Sequence, residues 1–257
     1  MPHRHPKSIL ITGATSAIGS ALALAYASPG ITLHLHGRNT QKLETVASQC
    51  RDHGARVTQC SFDIRDSGIL RDWVSDSGMM GPLDVVISNA GMNTNIGHNG
   101  DGERWEDSAA LMDINLRATM VLVDAALPAM RQRGRGQIAL LSSLAGYFGL
   151  PVTPSYCASK AAIKAYGEAL RGWLAPQGVA VNVIMPGYVD SAMCRAMPGP
   201  KPFLWTPERA ARLIKRQLAV NRGRISFPFP LNFGTWWLAV LPEAISQRIV
   251  RGMGYHG

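Results

Sequence analysis

Ser8-Ile9-Leu10-Ile11-Thr12-Gly13-Ala14-Thr15-Ser16-Ala17-Ile18-Gly19 is the stretch whose reading decides the fold. Ser8–Thr12 reads as a short apolar strand, and an alanine-rich helical pattern follows over Ser20–Ala27. Gly13 permits a tight exit from the strand, and Gly19 lets the helix pack close against it. The free N–H groups along Thr15, Ser16, Ala17 and Ile18 would then face an anion such as a diphosphate. The glycines stand six apart with Ala17 between them, so the spacing is not the dinucleotide G-x-G-x-x-G. A glycine-bounded turn after a first strand is often purely structural. Its weight comes from what surrounds it.

Outward from this turn, short β-branched runs alternate with helical patterns. Ile31–His36, Val57–Phe62, Asp84–Ser88, Gln137–Ser142 and Val179–Ile184 read as further strands. Thr40–His53, Gly68–Asp76, Trp105–Arg133 and Ser155–Ala175 read as helices between them. The strands are continuously apolar rather than alternating, as in parallel sheets buried on both faces. The pattern predicts an α/β, single-domain, Rossmann-like doubly wound parallel sheet of about seven strands with helices on both faces. There is no internal repeat, so 1–257 reads as one domain, with substrate loop and helices over 188–225 and an apolar extension over 225–257.

The bulk numbers agree with a folded enzyme-sized domain. Of 257 residues, 46% are hydrophobic and 17% charged, which supplies a core and excludes general disorder. Lysine and arginine exceed the acids by 9, a bias toward anionic ligands, but the basic residues are scattered and predict no nucleic-acid partner. Cys50, Cys60, Cys157 and Cys194 form no CxxC pair, which argues against a disulfide scaffold and against a metal site. The polar start, Met1–Lys7, lacks the apolar run of a signal peptide, so the expectation is a cytoplasmic protein.

Open α/β sheets bind ligands beyond the carboxyl ends of their strands, and several polar residues fall there. The second strand runs into Gly37-Arg38, where an acidic residue would read a ribose 2′-hydroxyl and an arginine would pair with a 2′-phosphate. Arg38 therefore points to NADP(H) over NAD(H), although a solvated loop cation is its bland reading. Asp63 and Ile64 end the third strand, beside the expected adenine edge, and Asn89-Ala90-Gly91 ends the fourth.

Tyr156 and Lys160 are four residues apart in Tyr156-Cys157-Ala158-Ser159-Lys160, so on a helix they share one face. A free phenol has a pKa of about 10, and bringing it into the neutral range takes roughly 3–4 kcal/mol of differential interaction. A close ammonium and an oxidised nicotinamide ring both favour the phenolate. Such a tyrosine could give a proton to a carbonyl oxygen or take one from an alcohol. Ser143, thirteen residues earlier, has a hydroxyl suited to hold the reacting oxygen, and Ser142 should point the opposite way.

Thr12–Gly19, Asn89-Ala90-Gly91, Asn115, Ser143, Tyr156 with Lys160, and Pro186-Gly187 occur in the order seen in the compact branch of the short-chain dehydrogenase/reductase family, which the chain resembles from Ser8 to about Met193. The resemblance implies an Asn115-Ser143-Tyr156-Lys160 tetrad, with Asn115 anchoring a proton-relay water and Lys160 also holding nicotinamide ribose hydroxyls. It implies that Pro186, Gly187, Val189 and Ser191 lie on the loop touching the carboxamide; the family usually has threonine where Ser191 stands. The activity implied is an NAD(P)(H)-dependent oxidoreductase interconverting a carbonyl and a secondary alcohol. NADPH-linked reduction is the leading expectation. An NAD-linked alcohol dehydrogenase and a non-catalytic NADP-binding scaffold or sensor are the alternatives.

The expected substrate wall is Leu144–Val152, Tyr188 and Met193–Trp205, including Met193, Met197, Phe203, Leu204 and Trp205. That lining favours a hydrophobic or bulky carbonyl compound. Asn93–Gly102 reads as a polar loop near the mouth, Pro198–Pro202 as a proline-rich loop, and Thr206–Asn221 as a capped helix. Ile225–Pro242 carries no charge, but Pro228, Pro230, Asn232 and Gly234 argue against a spanning helix. Three readings stay open for it: a subunit interface or pocket lid, a membrane-surface anchor, or ordinary core. A homodimer or homotetramer is expected, with peripheral membrane contact through 225–252 as the second of those readings.

Overall fold

The computed structural model describes residues 5–97, 100–197 and 199–253. Four of the stretches read from the sequence lie partly outside the described residues: Met1–Arg4 of the polar start, His98 and Asn99 of the 93–102 loop, Pro198 of the proline-rich loop, and the end of the extension beyond Met253. Seven parallel strands form one sheet in the order β3-β2-β1-β4-β5-β6-β7. They are β1 Ser8–Ile11, β2 Thr32–His36, β3 Arg56–Cys60, β4 Val85–Ser88, β5 Gly136–Leu141, β6 Val179–Pro186 and β7 Arg224–Phe227. The order reverses between β1 and β4, which opens a crevice above their carboxyl ends.

One face is covered by α1 Ala17–Tyr26, α2 Thr40–Asp52 and α8 Pro207–Ala219, which bury Leu22, Val46 and Ile214 against Ile9, Leu33 and Ile184. The other face is covered by α3 Ser67–Met79, α5 Ala118–Gln132 and α6 Pro154–Leu174, packed on Leu10, Val86 and Ile138. Fully buried on both faces, the central strands have no polar side to show, which is why their sequences read as unbroken apolar runs.

Two expectations need correcting. Trp105–Arg133 is not one helix: α4 Trp105–Met112 passes into a π-helical turn, Asp113–Arg117, before α5 begins. Asn115 sits in the widened turn, with its side chain clamped to Met92 of the next loop. Its Oδ1 accepts from the Met92 N–H at 2.8 Å and its Nδ2 donates to the Met92 carbonyl at 3.0 Å. The Asn115 carbonyl is taken by the Thr119 hydroxyl at 2.7 Å, a side-chain partner that steadies the irregular turn. The second correction concerns 225–242. Its start is β7, whose Ile225 and Phe227 are core, and only Leu231–Val240 forms a helix, α9. Then α10, Glu243–Gly252, closes the described chain, and α7, Ala192–Ala196, is a short helix after β6.

A buried amide cluster fastens β7 and α8 to the sheet. Gln137 donates to Asn182 Oδ1 at 2.8 Å and to the Leu218 carbonyl at 2.9 Å, while Asn182 donates to Asn221 Oδ1 and the Arg222 carbonyl. Asn182→Ala strips partners from these buried groups, so the unfolding free energy should fall by about 2–3 kcal/mol with an unchanged denaturant slope. A loss below about 0.5 kcal/mol, the range of a surface substitution, would show that the cluster carries no stability.

Candidate active site

The turn after β1 is held from the side by β4. Gly13 has φ 65°, and a Cβ there would stand 2.8 Å from Ala90 Cα. A Cβ on Gly19 would stand 2.2 Å from the Gly13 carbonyl oxygen, so both positions require glycine. Asn89 aims its Nδ2 at the Thr12 and Gly13 carbonyls, each at 2.9 Å, and at Ser16 Oγ at 3.1 Å. Thr12 Oγ1 accepts from the backbone N–H groups of Asn89 and Ala90. Ser16 caps α1 by accepting from Gly19 N–H, which starts the helix three residues earlier than its apolar pattern suggests.

Arg38 is exposed just past β2, where Gly37 packs against Thr15. Asn39 caps α2 by accepting from Lys42 N–H at 2.8 Å. Lys42 lines the same cavity as Thr15–Ile18, and sequence reading passed over it because it sits inside a helical pattern. Asp63 is drawn into an ion pair with Arg65, which holds its carboxyl down to about 2, while Ile64 is buried.

The candidate chemical groups come from three elements. Ser143 lies two residues past β5 and caps a single helical turn, Leu144–Gly146. Its hydroxyl bonds with Tyr156, and it also reaches toward the Pro186 carbonyl at 3.4 Å. Ser142 does turn away, donating to the Lys160 carbonyl at 2.7 Å. Lys160, 5% exposed, donates from Nζ to the Leu141 carbonyl at 2.9 Å, and its Nζ is 5.5 Å from the Tyr156 ring centroid. Asn115 joins this group through Ser159, whose Oγ accepts from Asn115 Nδ2 at 3.0 Å. Ser159 is wholly buried and was missed in sequence for want of any charge or motif.

Glu103 was missed as well. Thr153, the residue before α6, makes no capping bond because its hydroxyl is spent on Asn93 and Thr94. Glu103 takes over: its Oε2 accepts from Ser155 N–H at 2.9 Å and from the Ser155 hydroxyl, and its Oε1 accepts from Thr94. A carboxylate at this helix start opposes the positive end of the dipole and fixes the helix that carries Tyr156 and Lys160.

In the protein alone, burial governs the protonation of Tyr156. Burial pushes its phenol up to about 12, and the hydrogen bond from Ser143 offsets this only in part. Burial pushes Lys160 down to about 8. Desolvation therefore outweighs the neighbouring ammonium, which is already bonded to Leu141 O. By itself the protein keeps Tyr156 neutral and Lys160 mostly charged at pH 7.

These groups face a cavity of about 510 Å³ that runs from Thr15–Ile18 past Asn89 and Tyr156 to an apolar end. Pro186, Gly187, Val189 and Ser191 lie along it, and Ser191 caps α7 through Cys194 N–H. Leu144, Tyr188, Met193 and Met197 line it as expected. Phe203, Leu204 and Trp205 do not. Trp205 pairs its backbone with Tyr188 and Asp190 and stacks its ring on Phe227, while Phe203 and Leu204 face outward. Their place is taken by Leu231, Thr235, Leu238, Val250 and Met253 of the C-terminal helices and the residue after them.

A nicotinamide dinucleotide fits the polar half of this cavity. The glycine turn offers a side-chain-free cradle at a capped helix start, backed by Asn89, whose Nδ2 faces the turn and whose buried Oδ1 has no hydrogen-bond partner among the described residues. Thr15–Ile18, Asn89, Gly91 and Lys160 line this end and could hold such a cofactor, with Gly13 and Gly19 shaping the turn.

Comparison with known proteins agrees with this geometry. A family profile described as short chain dehydrogenase matches residues 7–199. An uncharacterized oxidoreductase of Myxococcus xanthus is 32% identical over 95% of this chain and 96% of its own. A protein of Streptomyces virginiae named as a monensin polyketide synthase putative ketoacyl reductase is 32% identical, over 85% of this chain and 84% of its own. The solved structure of a short-chain dehydrogenase from Streptomyces avermitilis superposes with a TM-score of 0.78 at 23% identity, covering 96% of this chain and 99% of that one.

The buried ammonium has a measurable signature. A lysine whose pKa is depressed in the fold costs stability while it is charged, and that cost disappears as pH rises from the folded value toward the ordinary one. Relative to Lys160→Met, the wild type should gain about 3 kcal/mol of unfolding free energy between pH 8 and about 10.5. A pH-independent difference between the two proteins would mean that Lys160 is not desolvated.

Proposed function

The chain belongs to the short-chain dehydrogenase family, and from that premise we propose that it reduces a bulky, apolar carbonyl compound with NADPH, Tyr156 serving as the proton donor. Family membership makes it an oxidoreductase that interconverts carbonyl and CH–OH groups with a nicotinamide cofactor. The observation that carries the finer reading is the convergence of Ser143, Tyr156 and Lys160 on a cavity with a glycine cradle at one end and apolar walls at the other.

When bound, the cofactor supplies the hydride. Ser143 donates to the carbonyl oxygen and holds it beside Tyr156, which releases its proton to that oxygen. Burial keeps the Tyr156 phenol protonated in the protein alone, so it holds the proton that reduction requires. Lys160, fixed on the Leu141 carbonyl, presents its positive charge toward the phenolate left behind, and Asn115 with Ser159 braces the helix turn between them. Arg38, exposed just past β2, and Lys42, which lines the cavity, supply positive charge for a 2′-phosphate, which supports NADPH over NADH. Asp63 and Ile64 are assigned to the adenine end, and Pro186–Ser191 to the nicotinamide end.

Residues 188–225 act as substrate loop and helices. The apolar extension 225–257 completes the pocket through α9 and α10. The name of the Streptomyces virginiae relative makes oxo-acyl compounds the first to try. Assembly as a homodimer or homotetramer belongs to the same reading, supported by the exposed apolar Trp105, Met120 and Trp173 on α4 to α6.

Following NADPH absorbance against a panel of oxo-acyl and other apolar ketones tests the activity. Tyr156→Phe should lower kcat by roughly 10²–10⁴-fold with the fold intact; turnover that survives the change removes Tyr156 from the chemistry. Arg38→Ala and Lys42→Ala should each weaken NADPH binding by about tenfold, roughly 1.4 kcal/mol, and leave NADH unchanged. Equal losses for both cofactors would assign these cations to something other than the 2′-phosphate.

A further inference from the structure

α9 is two-sided, and none of its side chains is fully buried. Leu231, Thr235 and Leu238 face inward and line the cavity. Phe233, Trp236, Trp237 and Val240 face the opposite way, with exposures of 51%, 40%, 44% and 52%. The three rings form one cluster, Trp236 and Trp237 having centroids 5.5 Å apart and Phe233 lying 6.0 Å from each. Phe229 before the helix is 78% exposed, and Ile245 and Ile249 of α10 continue the apolar surface. Along α10, Arg248 follows Ile245 by three residues, Arg251 follows by three more, and Glu243 is the single acid.

We propose that this face docks on an anionic phospholipid bilayer, so that the carbonyl substrate enters the cavity from the membrane past α9. Exposed tryptophan and phenylalanine on one face of a helix, with arginine at the border, is the chemistry of an interfacial element rather than of a spanning one. Among the described residues no helix is long and apolar enough to cross a membrane. Charge decides against a second copy of this chain. Arg248 is exposed on α10 next to Ile249, so a twofold contact centred on this face would bring it toward its own counterpart on a second molecule of net charge +9, whereas anionic headgroups complement it. The inner face of the same helix lines the cavity that Tyr156 also lines. A helix is about 10 Å across, so a lipid-borne ketone at the outer face is one helix diameter from that cavity. The docking stands apart from the catalytic reading; the entry route rests on it.

The full-length protein is co-sedimented with vesicles of phosphatidylcholine containing phosphatidylglycerol, and with vesicles of phosphatidylcholine alone. Binding to the anionic vesicles, weakened by salt, is expected. The double variant Trp236→Glu, Trp237→Glu should lower the partition coefficient on the order of a hundredfold while its thermal midpoint stays put. Brominated acyl chains should quench wild-type tryptophan fluorescence, and Trp236→Phe with Trp237→Phe should remove that quenching, a readout that needs no charged substitution. Reduction of a long-chain ketone carried in the vesicles should fall with binding, while that of a water-soluble ketone does not. Absence of vesicle binding overturns the proposal, as does a dimer that the double variant turns into monomer. Vesicle binding without turnover of either ketone upholds the docking and overturns the entry route together with the catalytic reading. Turnover of both ketones without vesicle binding overturns the docking and the entry route and leaves the catalytic reading standing.

Discussion

The amide of Asn89 is the contact on which the site depends. It ties the end of β4 to the Thr12 and Gly13 carbonyls and to the Ser16 cap, across the point where the sheet order reverses. Without that strap the turn would have to hold its own left-handed residue and the first N–H groups of α1 with nothing behind them. With it, two glycines suffice and no side chain enters the cradle. The same amide is spent on the turn through its nitrogen, and its buried oxygen has no hydrogen-bond partner among the described residues.

A second constraint runs through α6. Ser142 bonds to the backbone of Lys160, Lys160 reaches back to Leu141, and Glu103 holds the first turn at Ser155. The helix is thereby pinned at its start and at its second turn, with Tyr156 between the pins. Fixing one rotamer-rich lysine costs side-chain entropy, and desolvating its charge costs more. Both are accepted because the ammonium can then be neither replaced by water nor turned away from Tyr156.

The fold was largely legible in the chain because apolar β-branched runs and helical periods are local properties. Six strands could be placed by inspection. β7 could not, because Arg224–Phe227 merges into an uncharged stretch whose prolines dominate its appearance. The π-helical turn at Asn115 was invisible for a related reason: its cause is a clamp to Met92, 23 residues away in sequence. Ser143, Tyr156 and Lys160 were found from spacing and order, whereas Ser159 and Glu103 act through hydrogen bonds that no spacing announces. The desolvation of the Tyr156 phenol was not legible, because a sequence shows neighbouring charges but not the water that burial removes. Trp205 misled in the same way, since its ring turns toward Phe227 once its backbone has paired.

The absence of any fully buried side chain in α9 also bears on timing. Local opening free energies follow buried apolar contact, and this helix has less of it than the central strands β1, β4, β5 and β6 of the sheet behind it. Its first turn is held to Ser226 of β7 by Asn232, so motion of its later turns leaves Asn89, Lys160 and the sheet undisturbed. Entry and departure through that wall are then clocked by a loosely held helix, and a fast chemical step beneath it would leave release as the slow event of the cycle.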